Sequence, residues 1–589
     1  MRFVSTRGGA APPASLEDAI RRGYAPDGGL YVPEALPPIS EADLAAWGAL
    51  DYAGVAKEVL WPFAAGEIDR AAFDALIAAS YAGAAAPDVV PVRKLNDAAA
   101  LVELYHGPTH CFKDLGLQVA VRLLAHFAQR RGAPATLVVA TTGDTGPAAL
   151  RAVADVGDAS TRIVVCFPRG MVSELQRRQM TCCDAENVRV VSFEGGGDDM
   201  DAPLKNLAMD STFADARGLC GVNSYNIARP LAQQVHYVWA YLRCRELFGA
   251  ETPLDVVVPT GAMGNLAAAT FAKRRGVPLG ILCAATNAND ISYRAIAKGD
   301  FSKDDAMKKT VSDAINVQVP YNFERVLYYA LNENSKAVAA AFASFEANGD
   351  AWTLDAAARA GLSDYRAARV DDATTLASIR RCVDAHSVVC DPHAAVALAG
   401  AEALGYGAFG GAAAALRPVA ILATAHACKF EEAVGEALGA DAWAAFRASP
   451  AFPAAARALE DEEEVPPLHL ARRRGEALEA AQARWEASLR ALLEDPDGLH
   501  AVIAECGVAS DDEDAVIAER GAASDDEDGV DEERAELKRL DARLRLLKGP
   551  DTKVRELQAR RAALRRIVAG EPEPEPEPAA PEEGYCLLM

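Results

Sequence analysis

Residues 103–114 read E-L-Y-H-G-P-T-H-C-F-K-D, and their lysine stands where an amine can become a nucleophile. A short apolar run (Leu101, Val102, Leu104, Tyr105) has the make-up of a buried strand and breaks at Gly107-Pro108. Helical apolar spacing then resumes at Leu115, Leu117, Val119, Ala120, Leu123 and Leu124. Lys113 therefore falls at a turn-to-helix junction among Cys111, Phe112 and Leu115, where partial desolvation favours the neutral amine over the ammonium. A neutral amine attacks an aldehyde and holds it as a Schiff base. Taken by itself, the local context favours a surface lysine snorkelling from a helix end.

Other loops carry chemistry of their own. Val256, Val257 and Val258 run into P-T-G-A-M-G-N at residues 259–265 and then into a helical stretch, 266–273. Backbone N–H groups in such a glycine-permitted turn can face an anion at a helix N-terminus. A glycine turn that merely starts a helix fits the motif equally well. T-T-G-D-T-G at 141–146 lies between an apolar run, 137–140, and an alanine-rich helical stretch, where an ordinary N-cap by Thr or Asp is the common role. The run 419–422 reads as a buried strand delivering Thr424, Ala425 and His426. His106, His393 and His426 lack zinc-like spacing and any accompanying Cys/Asp/Glu cluster, so no metal is expected and they read as satisfied or supporting histidines. G-G-G-D-D at 195–199 resembles a phosphate cradle, but its acidic pair would repel phosphate; it reads as a turn before a helix near Leu204.

The segment H-G-P-T-H-C-F-K-D (106–114) resembles the cofactor-lysine signature of threonine synthase, a pyridoxal-phosphate enzyme. The likeness continues in order through S-T-R-G (5–8), D-G-G-L-Y-V-P (27–33), T-T-G-D-T-G (141–146), N-S-Y-N-I-A-R (223–229) and P-T-G-A-M-G-N (259–265). It goes on through T-N-A-N-D-I (286–291), V-P-Y-N-F-E-R (319–325), D-P-H-A-A-V (391–396) and L-A-T-A-H-A-C-K-F (422–430). Shared order over so long a span is far more specific than any one motif.

The resemblance implies an α/β fold of parallel sheets covered by helices, the tryptophan-synthase-β-like PLP fold, with a small N-terminal domain. It implies pyridoxal 5'-phosphate on Lys113, which would also serve as the catalytic base. Gly261, Ala262, Met263, Gly264 and Asn265 would hold the cofactor phosphate, and Thr424 would face its pyridine nitrogen. The family usually has G-N-F-G-N in that loop; with Ala262 and Met263 in the middle, backbone donors survive but an asparagine side chain is lost. Thr142, Gly143, Asp144, Thr145 and Arg229 would bind the substrate, with Lys205, Arg229 and Arg325 as cationic partners for its phosphate. Arg7 and Asp27 would be structural. The implied activity converts O-phospho-L-homoserine and water to L-threonine and phosphate by β,γ-elimination and replacement. Two alternatives stay open: a threonine-synthase-like phospho-lyase releasing 2-oxobutyrate, and a non-catalytic scaffold with a vestigial PLP fold.

Length and charge set the frame. At 589 residues the chain exceeds a single core. The expected division is 1–92 (N-terminal domain), 93–455 (catalytic, two α/β subdomains), 456–500 (helical) and 501–589 (an acidic, coiled-coil-like, Pro/Glu-rich extension, largely disordered). A net charge of −24 argues against a nucleic-acid partner, because phosphate backbones need basic surface. Twelve scattered cysteines without a C-x-x-C pair form neither a disulfide framework nor a zinc set, which points to a reducing compartment. No long apolar run offers a membrane span, and family-like sequence from Phe3 leaves no room for a leader; a cytoplasmic enzyme is expected. The number of subunits is left open.

The residues 44–77 carry helical spacing with a break expected at Trp61-Pro62. E-D-E-E-E at 460–464 reads as a solvated acidic link, and 476–493 as a last helix. Beyond it, S-D-D-E-D at 510 recurs at 524 as a candidate phosphorylation repeat, leucines among charges follow over 532–568, and Pro-Glu repeats fill 571–578. The closing Cys586-Leu587-Leu588-Met589 matches a prenylation box. Four-residue matches arise by chance and a metabolic enzyme of this family rarely needs an anchor, which weighs against prenylation of Cys586.

Overall fold

In the strands Ala99–Glu103, Leu254–Pro259 and Val419–Ala423 every residue is buried. A strand with both faces covered belongs inside a parallel sheet with helices on either side. The computed structural model, which describes residues 1–9, 12–196, 199–249, 252–410 and 417–494, places them together. They form the middle of a six-stranded sheet in the order Tyr365–Arg369, Leu279–Thr286, Leu254–Pro259, Val419–Ala423, Ala99–Glu103, Val92–Lys94. All neighbours are parallel except the edge strand Val92–Lys94.

A second, wholly parallel sheet is built from four strands between Ala99–Glu103 and Leu254–Pro259 and one from the C-terminal segment. Its order is Leu468–Leu470, Val188–Phe193, Thr161–Pro168, Ala135–Ala140, Leu219–Cys220. Helices connect the strands, as parallel crossovers require. The long helices Lys113–Arg131 and Ala228–Phe248 pack on one another and carry mostly buried residues. The α/β architecture of helix-covered parallel sheets expected from the sequence is the one found.

The N-terminal part contributes the antiparallel pair Phe3–Ser5 and Tyr31–Pro33 and the helices Glu41–Trp47, Tyr52–Ala64 and Arg70–Tyr81. The break expected at Trp61-Pro62 comes later: Pro62 lies inside the last turn of Tyr52–Ala64, and the chain leaves the helix at Ala65. Proline has no N–H to donate to the Glu58 carbonyl, and the helix ends within three residues of it. Arg7 pairs with Glu324 at 3.0 Å and Asp27 accepts from Ser5 Oγ and the Gly9 N–H, both at 2.7 Å, which ties the first two motifs to one another and to residue 324.

The C-terminal segment differs from expectation in two ways. Beside the helix Leu478–Glu494 it contains the strand Leu468–Leu470, paired in parallel with Val188–Phe193. Glu464 is not part of a solvated link: it binds Arg177, Arg178 (2.9 Å) and Thr181 on the helix Glu174–Thr181. Burial would raise its carboxyl, but Arg177, Thr181 and Arg178 outweigh that and hold it at about 2. Residues 1–486 form one compact unit; a second, 487–589, is described only over 487–494. The acidic repeats, the leucine-rich stretch, the Pro-Glu run and Cys586 lie outside the described residues.

Candidate active site

Parallel sheets gather loops at the carboxyl ends of their strands. Loops after Ala99–Glu103, Ala135–Ala140, Leu254–Pro259 and Val419–Ala423 together line a cavity of about 540 Å³. Lys113, Thr142, Gly143, Asp144, Thr145, Arg229, Gly261, Ala262, Met263, Gly264, Asn265 and Thr424 all border it.

Lys113 arrives there by backbone pairing. Leaving its strand, the chain turns at Gly107, where any side chain would collide with Asp114, and runs back along the end of Val419–Ala423. The Phe112 N–H donates to the Thr424 carbonyl at 2.8 Å, and the His426 N–H to the His110 carbonyl at 3.0 Å. Lys113 thus begins its helix beside Thr424. Asp114 stiffens the turn by accepting from the Thr109 N–H (2.8 Å) and hydroxyl (2.6 Å); burial nevertheless pushes its carboxyl up to about 6. The Lys113 side chain is 12% exposed, so the lysine of the motif opens on the cavity rather than on free surface.

The glycine turn leads into the helix Gly264–Arg274. First-turn N–H groups have no acceptor within their own helix, and here they belong to residues lining the cavity. Met263 is held at φ 60°, a left-handed conformation that disfavours a side chain and is found where surrounding structure enforces it. A Cβ on Gly264 would come within 2.9 Å of Ser224 Cβ, and one on Gly261 within 3.0 Å of Ile315 Cα. The Asn265 carboxamide oxygen accepts from His236 Nε2 (2.8 Å) and the Tyr237 hydroxyl (2.9 Å), which turns its amide nitrogen out, buried and without a partner. Burial lowers His236 to about 4, so it is neutral. Arg229 Nε is likewise buried and unpaired. Unmatched donors around a glycine cradle fit a bound anion, the group that a phosphorylated cofactor would present.

Asp144 does not cap the helix Thr145–Val156. Its carboxylate accepts from Gln176 Nε2 (2.9 Å) and stands 2.8 Å from Lys429 Nζ and 3.5 Å from Lys113 Nζ. Burial alone would raise it; Lys429 first and Lys113 next hold it well below the usual carboxylate range. The loop is shaped instead by Thr141, whose hydroxyl accepts from the Gly143 and Gly146 N–H groups at 3.1 Å.

Two expected phosphate partners stand elsewhere. Arg325 is fully buried and spends its guanidinium on the carbonyls of Tyr31, Ser224 and Tyr225 and on Asn322 Oδ1, locking two motifs together. Lys205 is exposed on the helix Asp201–Met209, away from the cavity. Lys303 and His393 do border it. His393 is oriented by Asp391 (2.6 Å) and accepts the Ala314 N–H (3.1 Å). Sequence reasoning missed Lys429, Gln176 and Gln179. The first lies inside the quoted motif L-A-T-A-H-A-C-K-F, but the other two carry no sequence signal. Among the described residues no group of three or more His, Cys, Asp or Glu could hold a metal ion.

Comparison with known proteins gives the same picture in family terms. The family model for the threonine synthase N terminus matches residues 2–81, that for pyridoxal-phosphate-dependent enzymes residues 91–416, and that for the threonine synthase C-terminal part residues 395–467. A human protein named threonine synthase-like 2 is 37% identical over 402 residues, covering 68% of this chain and 82% of its own. Threonine synthase of Pseudomonas aeruginosa is 36% identical over 437 residues, covering 74% and 90%. The crystal structure of PLP-bound threonine synthase from Brucella melitensis superposes with a TM-score of 0.73 at 33% identity, covering 82% of this chain and 99% of that one.

Proposed function

This chain belongs to the threonine synthase family of pyridoxal-phosphate enzymes, and we propose that it converts O-phospho-L-homoserine and water to L-threonine and phosphate. The observation that carries this reading is the meeting of Lys113, the glycine turn and Thr424 around one cavity, in a chain whose family matches run in order from residue 2 to 467.

In this reading Lys113 holds pyridoxal phosphate through its amine, the N–H groups of 261–265 and the Asn265 amide meet its phosphate, and the Thr424 hydroxyl meets its ring nitrogen. When bound, the cofactor supplies an electron sink that acidifies the hydrogens next to a substrate amino group. Lys113, once its amine is free, takes the proton from Cα and returns it there at the end. A hydroxyl such as that of Thr424 stabilises a charged pyridine nitrogen less than a carboxylate would, so other groups of the site share that tuning. Arg229 and loop 142–145 hold the anionic ends of the substrate; Arg229 borders the cavity and its Nε has no protein partner.

A second reading has a specific observation behind it: proteins named threonine synthase-like 2 match this chain as well as a threonine synthase does. In that reading phosphate leaves without water being added at Cβ, and water instead hydrolyses the carbon–nitrogen bond at Cα to give 2-oxobutyrate and ammonia. Incubation of the purified protein with O-phospho-L-homoserine separates the two. L-threonine appearing mole for mole with phosphate is the expected outcome, and 2-oxobutyrate in its place would sink the synthase reading.

A further inference from the structure

Lys429 is a fully buried lysine, and burying an ammonium is costly unless anions and acceptors surround it. Its Nζ donates to the Thr109 carbonyl at 2.9 Å and stands 2.8 Å from Asp144 Oδ1. Gln179 Nε2 joins it on the Thr109 carbonyl at 3.1 Å, and Gln176 Nε2 joins it on Asp144 Oδ1 at 2.9 Å. The other oxygen of Asp144 is 3.5 Å from Lys113 Nζ. One carboxylate therefore sits between two lysines, one sealed in the interior and one open to the cavity.

We propose that Lys429 is a positioning residue that holds the Asp144 carboxylate in place and half neutralised, so that the Lys113 nitrogen meets a balanced ion pair instead of a bare anion. A lone carboxylate at that distance would trap Lys113 as an ammonium, useless for attack or for taking a proton. A lone Lys429 would repel any positive charge that Lys113 must carry in turn. The arrangement also joins the two sheets, because Thr109 and Lys429 follow strands of the first and Asp144 follows a strand of the second. Burial opposes the Lys429 charge, yet Asp144 more than restores it and leaves the ammonium firmly protonated. The other titratable groups facing these three include Cys111, Asp114 and His110 from the turn around Lys113, Cys428 beside Lys429, His393 from the helix Pro392–Ala403, and Asp313 across from His393.

The inference rests on the reading of Lys113 as the cofactor lysine, and the test keeps the two apart. In the full-length protein loaded with pyridoxal phosphate, the midpoint pH of the change in its visible absorbance band is measured for the unaltered chain, K429M, K429R and D144N. In the same chains freed of cofactor, Lys113 is labelled with acetic anhydride across pH and quantified by peptide mass spectrometry. Both midpoints are expected to rise in K429M, to fall in D144N, each by about one pH unit or more, and to stay near the original in K429R. Unmoved midpoints, or shifts of one sign in both K429M and D144N, overturn the proposal. Should K429M fail to fold by circular dichroism, D144N decides alone: a downward shift supports the proposal and any other result overturns it. The labelling arm needs no cofactor, so a visible band that survives in Lys113→Ala would remove the cofactor assignment while leaving the charge coupling standing.

Discussion

Lys113 owes its place to two sets of hydrogen bonds and one close approach, none of which involves its own side chain. Asp114 ties down the turn, Gly107 leaves room for the Asp114 side chain, and the Phe112 N–H docks on the Thr424 carbonyl. If Lys113 carries the cofactor, Lys113→Ala is expected to lose the visible absorbance band after dialysis, with turnover falling at least about a thousandfold. Gly264 offers a second test at this scale, since a methyl group there would press on Ser224 beside the proposed phosphate cradle. Gly264→Ala is expected to weaken cofactor binding about tenfold, read by absorbance titration, with a much smaller effect on the melting temperature of the cofactor-free protein.

The helix Glu174–Thr181 shows how one short element serves two purposes. Gln176 and Gln179 reach inward to Asp144 and Thr109, while Arg177, Arg178 and Thr181 hold Glu464 of the C-terminal segment. The Glu464 pairing predicts a pH dependence with a definite sign. Its carboxyl is held at about 2 in the folded chain against an ordinary value of 4.5, so its contribution is present above 4.5 and is lost as pH falls towards 2. Glu464→Gln is therefore expected to lower the unfolding free energy from urea titration at pH 7 by on the order of 1–2 kcal/mol, allowing for solvent screening of a partly exposed pair. The gap between the two proteins should close as pH drops below 4.5; a gap independent of pH would mean that packing, not charge, accounts for the effect.

At the scale of the whole molecule, every described residue bordering the cavity lies within residues 1–486. If the proposed activity holds, a chain ended after Glu494 is expected to keep its cofactor and its turnover with O-phospho-L-homoserine within about twofold of the full-length protein, because no described residue of the cavity is removed. Steady-state rates and the visible spectrum of the two chains check this directly. A large loss would place part of the working protein in the extension.

Local pattern was enough to reveal much of this architecture. Apolar runs of strand length alternating with helical spacing announced helix-covered parallel sheets, and glycine, threonine and lysine signatures at the ends of those runs marked the loops that surround the cavity. Such features are legible because they depend on neighbours a few residues away. Tertiary structure alone decided which charged side chains open on that cavity. Arg325, in a motif beside others that reach it, is consumed by backbone carbonyls from distant segments, whereas Lys429, unremarked in its motif, closes a charge pair with Asp144, 285 positions earlier (429 − 144). Glu464 reads as solvent-facing in an acidic run and becomes a clasp only when two arginines from another element meet it. A buried charge is identified by its partners, and its partners are brought to it by the fold.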